Sequence, residues 1–416
     1  MYLLEFRLYG TENQFARIDQ SIRTTKFIRN KCIRLWMDSK GKKKIGKYEM
    51  SAYCAELAQQ HDFCAQLNSM ARQAAAERAY SSVGRFYDNC KKKTKGKKGY
   101  PKFQKICRSV EFKTSGWKFR NNNKQIYFGN TKSPKDFDIG WLKLKGGRPI
   151  LEEYIEKIKR VRIVKKADKY YCQFCIDINK TEYVGCTGTE IGLDVGLESF
   201  YTDSNGNKVE NPRHLGKSLV RLKRLGRQHS KKTKGSVNRR KAQKRLSRKH
   251  LKVASQRKDF VVKTARCVVK SNDFVAVEKL QVRNMIRSKM ARSIADASWS
   301  MFRSYLEYFG NKFGKIVVAV NPKNTSQKCS KCGKLPTKSK ELKDREHHCE
   351  FCGFKTCRDH NAAINILVDG LSTVGHTGSN AWGDESSTQL DANPIEQLLS
   401  ANQEPLVPFG AGISRL

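Results

Sequence analysis

Two cysteine pairs constrain this chain more tightly than any other feature. Cys329-x2-Cys332 and Cys349-x2-Cys352 stand sixteen residues apart, and each is followed by glycine, in Cys-Ser-Lys-Cys-Gly and Cys-Glu-Phe-Cys-Gly. Glycine there permits the tight turn that points backbone amides at the sulfurs. Four thiolates gathered this way make the closed tetrahedral shell of a structural zinc ion, with no open position for chemistry. Residues 329–352 must therefore fold back on themselves as a zinc-ribbon-like module. His347, His348 and Cys357 are neighbouring donors, expected at the surface and outside that shell. The remaining cysteines are mostly scattered singly, as in a reducing cytosol.

Three acids stand out next. Ile191-Gly192-Leu193-Asp194-Val195-Gly196-Leu197 reads as a strand carrying an acid, and Phe274-Val275-Ala276-Val277-Glu278 as a buried strand ending in one. Buried strands seldom hold unpaired acids, because desolvating a carboxylate is costly. Asp359 opens a helix that runs to about Leu371 with Ala363, Ile366 and Leu367 inward. Taken singly, each acid has an ordinary reading as a strand-end or capping carboxylate. Taken together they suit phosphodiester hydrolysis, in which several carboxylates converge on two metal ions about 3.5–4 Å apart. Mg²⁺ takes hard oxygen ligands and keeps some water, so three acids plus a substrate phosphate suffice. An RNase H-like sheet supplies acids in this order, from a first strand, a later central strand and the start of a final helix.

The charge identifies a class of partner. Lys and Arg total 83 against 39 acids, a net charge of +44 over 416 residues. A compact chain so charged repels itself unless a polyanion neutralises it, and nucleic acid is the usual one. The excess suits tens of phosphates rather than a mononucleotide; general, ribosome-like adhesion to nucleic acid is the plainer alternative. From Arg213 to Lys258 there are 19 basic residues and no acid. Leu215, Leu219 and Leu222 keep one apolar helical face there, and Ala254, Val261, Ala265 and Val268 continue it. This favours ordered helices with a basic outer face over a disordered run. Arg239, Arg240 and Lys241 are candidate backbone contacts, with a solvated face as the alternative. No apolar run reaches the roughly 18 residues of a membrane span, and the N-terminus lacks the basic-then-apolar order of a signal peptide.

Residues 1–185 read as strands enclosing a helical insertion at about 15–100. Alternation appears at Leu4, Phe6 and Leu8, at Val110 and Phe112, at Ile126 and Phe128, and at Cys172, Phe174, Ile176 and Ile178. Helical spacing appears at Ile28, Cys32, Leu35 and Trp36, and at Ala75, Ala79, Val83 and Phe86. Basic loops at 40–47 and 91–98 flank the helical part. Beyond Glu190, Phe200–Thr202 and Lys208–Glu210 flank an Asn205-Gly206 hairpin turn. An amphipathic helix is predicted at about 293–313 and a strand at 315–320. Past Gly375 the chain is rich in Gly, Ser, Asn and Pro and reads as a flexible tail.

Four segments carry a resemblance: Gly192–Gly196, Val277-Glu278-Lys279-Leu280, Asn324–Gly333 and Arg358-Asp359-His360-Asn361-Ala362-Ala363-Ile364-Asn365-Ile366. In these the chain resembles the TnpB (transposon OrfB) family, relatives of type V CRISPR effectors. The likeness is firm over about 185–370 and looser in the N-terminal part, through Phe6-Arg7-Leu8-Tyr9 and 73–103. The family commonly has Asp-Arg-Asp before the Asn-Ala-Ala run; here Cys357 stands in place of the first Asp.

The resemblance implies a multi-domain α/β protein. An N-terminal wedge β-barrel with a helical recognition insertion is expected over 1–185. A RuvC-type, RNase H-like mixed sheet is expected over 186–372 with the zinc module at 329–352, and a flexible tail over 373–416. By motif match Asp194, Glu278 and Asp359 are the catalytic, Mg²⁺-binding acids, and Cys329, Cys332, Cys349 and Cys352 hold Zn²⁺. Arg72 and Gln73, on one helix among small residues, are candidates for reading base edges, with a solvated helix face as the alternative. The function implied is RNA-guided cleavage of double-stranded DNA by a mobile-element nuclease, acting as a monomer with its guide RNA in a prokaryotic cytoplasm, at the nucleoid. A compact type V CRISPR effector, a nuclease-inactive RNA-guided repressor and a transposase joining DNA ends remain as alternatives.

Overall fold

The computed structural model describes residues 2–39, 45–93, 96–129, 137–146, 150–177, 182, 184–341 and 344–377. The chain divides into two compact units, Met1–Asn179 and Lys180–Leu416.

The first unit begins with β1 (Tyr2–Tyr9), then α1 (Glu12–Asp38), α2 (Lys47–Gln60), α3 (Asp62–Ala65) and α4 (Ser69–Lys91). There follow β2 (Ser109–Phe112), β3 (Trp117–Arg120), β4 (Gln125–Phe128), β5 (Gly140–Lys145), α5 (Glu152–Ile155), β6 (Ile158–Lys166) and β7 (Lys169–Ile176). The seven strands form one antiparallel sheet in the order β2-β6-β7-β1-β5-β4-β3. In a flat sheet β2 and β4 would lie about 24 Å apart, five strand spacings. Yet the Phe112 and Phe128 ring centroids are 4.9 Å apart, and Phe119 of β3 meets Phe174 of β7 at 5.4 Å. The sheet is therefore curled around these rings. Among the described residues no ladder joins β2 to β3, so apolar packing rather than hydrogen bonding brings its ends together. The alternating residues of β1, β2, β4 and β7 point inward as the sequence predicts; Ile178 lies outside the described residues. α1 starts at a capping box between Thr11 and Gln14 and packs on α4, whose Ala71, Ala75 and Ala79 allow close approach.

The second unit holds β8 (Glu190–Val195), β9 (Ser199–Asp203), β10 (Lys208–Glu210), α6 (His214–Ser230), α7 (Val237–Ser271) and β11 (Phe274–Glu278). It continues with α8 (Val282–Met285), α9 (Ala291–Ala297), α10 (Trp299–Phe313), β12 (Ile316–Val320), β13 (Glu346–His348), β14 (Lys355–Cys357) and α11 (Arg358–Thr377). Its main sheet runs β10-β9-β8-β11-β12, with β8, β11 and β12 parallel and the rest antiparallel. The period of two splits it into faces. Ile191, Leu193, Val195, Val275 and Val277 pack against α7 and α10, through Val261, Ala265, Phe302, Leu306 and Phe309. Gly192 and Ala276 face the other way, toward α11.

That second face is held at very short range. A Cβ built on Gly192 would lie 2.2 Å from the Ala363 carbonyl oxygen and 2.8 Å from the Leu367 amide nitrogen. One on Gly370 would lie 2.6 Å from the Ala276 Cβ. Helix and sheet each give up a side chain so that their backbones can touch.

Three sequence expectations need correction. The single helix at about 293–313 is two helices, because Ser298 adopts a left-handed backbone (φ +59°) between α9 and α10. Ala254 faces solvent, and Val253 is the buried residue at that turn of α7. The last helix continues to Thr377, into the stretch expected to be tail, while 378–416 lie outside the described residues, as do 40–44 and 94–95 of the two basic loops.

Two glycines should respond oppositely to the same substitution. Gly192→Ala must push α11 off β8 and is expected to destabilise by about 1–3 kcal/mol. Gly226, inside α6 with open space around it, should gain up to about 1 kcal/mol on conversion to alanine. Chemical unfolding of both variants checks the signs; equal shifts would contradict the close contact.

Candidate active site and metal centre

The close contact at Gly192 places the acids. Asp194 is two residues on from Gly192, hence on the same face of β8. Asp359 is four residues before Ala363, one helical turn toward the N-terminus of α11. In the parallel β8–β11 ladder Leu193 lies opposite Val277, so Asp194 and Glu278 are the next residues along. Glu278 shares its face with Ala276, beneath α11. Two strand ends and one helix start thus deliver three carboxylates to one corner, and the first turn of α11 brings its positive dipole end there.

The electrostatics report the crowding. Burial pushes the Asp194 carboxyl well above the usual carboxylate range; Glu278 and then Asp359 push it further, and Arg358 opposes them. Asp194 nevertheless keeps part of its surface open to solvent. Glu278 is 8% exposed, and its carboxyl is likewise raised by burial, against a hydrogen bond donated by the Thr325 hydroxyl. Such a set is poised to accept a cation, which would relieve both burial and mutual repulsion. As placed, the three acids are not a closed set of ligands; among the described residues only the four cysteines are.

Those cysteines lie with all four sulfurs within 4.8 Å of one another, Cys329 and Cys352 at 3.7 Å and Cys332 and Cys349 at 3.5 Å. Both knuckles close identically. Cys329 N–H donates to the Lys334 carbonyl and Gly333 N–H to the Cys329 carbonyl; Cys349 and Phe354, then Gly353 and Cys349, repeat the pattern. Gly333 and Gly353 have φ of +73° and +68°, the conformation that favours glycine. The sulfurs fit a tetrahedral zinc ion. His347 departs from expectation: it is 2% exposed, set against Lys340 and outside the sulfur set. His348 is exposed, and Cys357 accepts from Lys208 Nζ at 3.3 Å.

Sequence reading missed the residues that fasten this module to α11. Asn361 and Asn365 are fully or almost fully buried on one helix face. Asn361 donates to the Lys328 carbonyl (2.8 Å) and accepts from Ser330 N–H (2.9 Å); Asn365 donates to the Thr325 and Lys328 carbonyls (2.9 and 2.8 Å). Their i, i+4 spacing beside an apolar stripe was the available signal. His360 adds a further tie, its ring 3.1 Å from the Ser204 carbonyl in the β9–β10 turn.

The candidate nucleic-acid residues fall into two groups. Arg240 and Lys241 are exposed near the start of α7, and no residue from 237 to 252 is buried. Arg239 is half-buried, its guanidinium donating to the Lys232 carbonyl at 2.6 Å. Arg72 and Gln73 on α4 are also half-buried, and Arg72 reaches the Cys64 carbonyl of α3.

Two family models match the chain. "Probable transposase" (OrfB_IS605) covers residues 173–289, and "Cas12f1-like, TNB domain" covers 299–366. A "Putative RNA-guided DNA endonuclease" of Streptomyces pristinaespiralis is 30% identical over 427 residues, spanning 99% of this chain and 98% of its own. InsQ of Escherichia coli K12, with the same description, is 28% identical over 72% of this chain and 74% of its own. "TnpB-like protein L770" of Acanthamoeba polyphaga mimivirus is 28% identical over 63% and 52% respectively. Among solved structures, the protein of a Cas12f1-sgRNA-target DNA complex superposes with a TM-score of 0.53 at 17% identity, over 86% of this chain and 83% of that one, a likeness of fold. With one relative matched nearly end to end and the OrfB model over its centre, the chain belongs to the TnpB (transposon OrfB) family.

Proposed function

We propose that this chain is an RNA-guided DNA endonuclease of a mobile element, cutting target DNA by metal-dependent hydrolysis at a RuvC-type site made of Asp194, Glu278 and Asp359. One observation carries the reading: three acids meet at adjoining strand ends and a helix N-terminus, where burial and mutual repulsion raise Asp194, in a protein of net charge +44. Elsewhere such a protein gains from attracting phosphates; here it concentrates negative charge, which suits metal ions brought against a phosphodiester. In this reading residues 1–185 are a wedge barrel with a helical insertion and 186–372 a RuvC domain. Bound Mg²⁺, two ions in this reading, supplies charge stabilisation and an activated water at the scissile phosphate. The carboxylates supply hard oxygen ligands from three rigid elements, and Glu278, anchored by Thr325, is oriented before metal arrives. Guide pairing selects the target, while basic surfaces hold the heteroduplex backbone.

Finding the target does not require the carboxylates; cutting it does. Alanine at Asp194, Glu278 or Asp359 should reduce Mg²⁺-dependent cleavage to background while guide RNA and target binding persist. Matched and mismatched DNA, with and without guide RNA, give the readout. Undiminished cleavage by Asp194→Ala would remove the site from consideration, and an inactive wild type that still binds matched DNA would favour an RNA-guided repressor.

The four cysteines hold one structural zinc ion per chain, whose binding and the folding of 329–352 are one process. Metal analysis should find about one zinc per chain, and Cys349→Ser should lose it together with protease resistance of the module. Full zinc retention in that variant would refute the assignment.

The α6–α7 pair contacts nucleic-acid backbone through its basic outer face. Reversing Arg239, Arg240 and Lys241 to Glu should weaken binding to all sequences alike. It should also flatten the log–log salt dependence of affinity by about three, roughly one per cation removed. An unchanged slope would return the run to a solvated face.

A further inference from the structure

We infer that Thr325 is a positioning residue for the nuclease, holding Glu278 in place and tying it, through Asn365, to the helix that carries Asp359 and to the zinc knuckle. This rests on the active-site reading above. Thr325 lies in the loop between β12 and Cys329 and is 2% exposed. Its hydroxyl donates to Glu278 Oε1, with the Pro322 carbonyl a longer second contact at 3.3 Å. An ionised carboxylate can only accept, so this bond fixes which oxygen of Glu278 is occupied by protein and leaves the other for a cation.

The loop itself is held by a buried amide. Both hydrogens of Asn365 Nδ2 are used, one on the Thr325 carbonyl and one on the Lys328 carbonyl. Lys328 precedes Cys329, and Asn361, one helical turn earlier on α11, grips the chain on either side of that cysteine at Lys328 and Ser330. Glu278, Thr325, Asn365 and Cys329 are therefore links of one continuous buried chain of contacts. The nearest end of α11 carries Asp359. The placement of the zinc knuckle and the aim of Glu278 are linked by the same few hydrogen bonds, although zinc takes no part in the chemistry.

Single-turnover cleavage of guide-matched DNA across a Mg²⁺ titration tests this, using the full chain with its guide RNA. Thr325→Val keeps the shape and removes the donor. It should retain zinc and target binding, yet cut roughly ten- to a hundredfold more slowly at subsaturating Mg²⁺, as expected for losing a bond to a charged group. Its half-maximal Mg²⁺ concentration should rise several-fold. Thr325→Ser, which restores the donor, should cleave within about threefold of wild type, less than half of a tenfold free-energy step. Asn365→Ser should lower cleavage in the same direction, and the double variant should cost less than the sum of the two. Thr325→Val with wild-type Mg²⁺ dependence would overturn the proposal. So would loss of zinc or of target binding in that variant, which would mean a folding role only, and so would additive behaviour of the pair. Glu278→Ala measured alongside separates the two readings. If it cuts normally the active site is wrong, and if it is dead while Thr325→Val is normal only the positioning role fails.

Discussion

The second unit depends on a contact between two backbones. At Gly192 a strand and a helix approach so closely that even a methyl group has no room, and two turns further along α11 Gly370 seats the helix against the Ala276 side chain. This closeness has a geometric consequence. A carboxylate reaches only a few ångströms from its Cα, so acids from a helix and from the sheet beneath converge only where the helix lies nearly on the sheet. Gly192 allows that, two residues before the first acid and beneath the turn that follows the last.

The site also runs against the electrostatics of the whole molecule. A chain with 83 basic and 39 acidic residues generates a positive field that favours any buried carboxylate, yet Asp194 is still raised by its surroundings. Local burial and two like charges outweigh the distant cations, because screening by water weakens the far field while close pairs in a dense interior feel little of it. Among the described residues Arg358 is the cation that opposes them, and it is otherwise committed to the Glu341 carbonyl at 2.6 Å.

Much of this was legible in the sequence, for reasons that differ by element. The cysteine knuckles could be read because metal ligation demands fixed residue types at fixed spacing. Strand β1 could be read because one face is buried and alternation is enforced; β2, β4 and β7 keep the same inward alternation although Glu111, Tyr127 and Cys175 are buried on their other face. The split at Ser298 could not, since a left-handed serine leaves no compositional mark and both flanking helices keep apolar residues in register. His347 is expected at the surface; its burial against Lys340 is a tertiary contact that no local pattern encodes. The roles of Thr325 and Asn365 were harder to read for a related reason. Polar residues buried to satisfy a distant partner look in sequence like any loop threonine or helical asparagine.

The apolar cluster beneath α11 is small, built from Phe274, Ala276, Val320 and Ile366 with a few half-buried neighbours, whereas the opposite face buries eighteen residues. At about 25 cal/mol per Å² of apolar surface, so little burial is a weak hold for a helix that must keep Asp359 in register with two strands. Polar contacts of α11 compensate. Asn361 and Asn365 give four buried or half-buried hydrogen bonds, the His360 ring rests at the β9–β10 turn, and the cysteine knuckles restrain the loop that these amides grip. Polar bonds of this kind are directional where apolar contacts are not, so they fix the rotation of the helix as well as its distance from the sheet. A helix that presents a carboxylate at a defined angle gains more from that than from a larger apolar face, which would have required side chains at the very positions where glycine is needed.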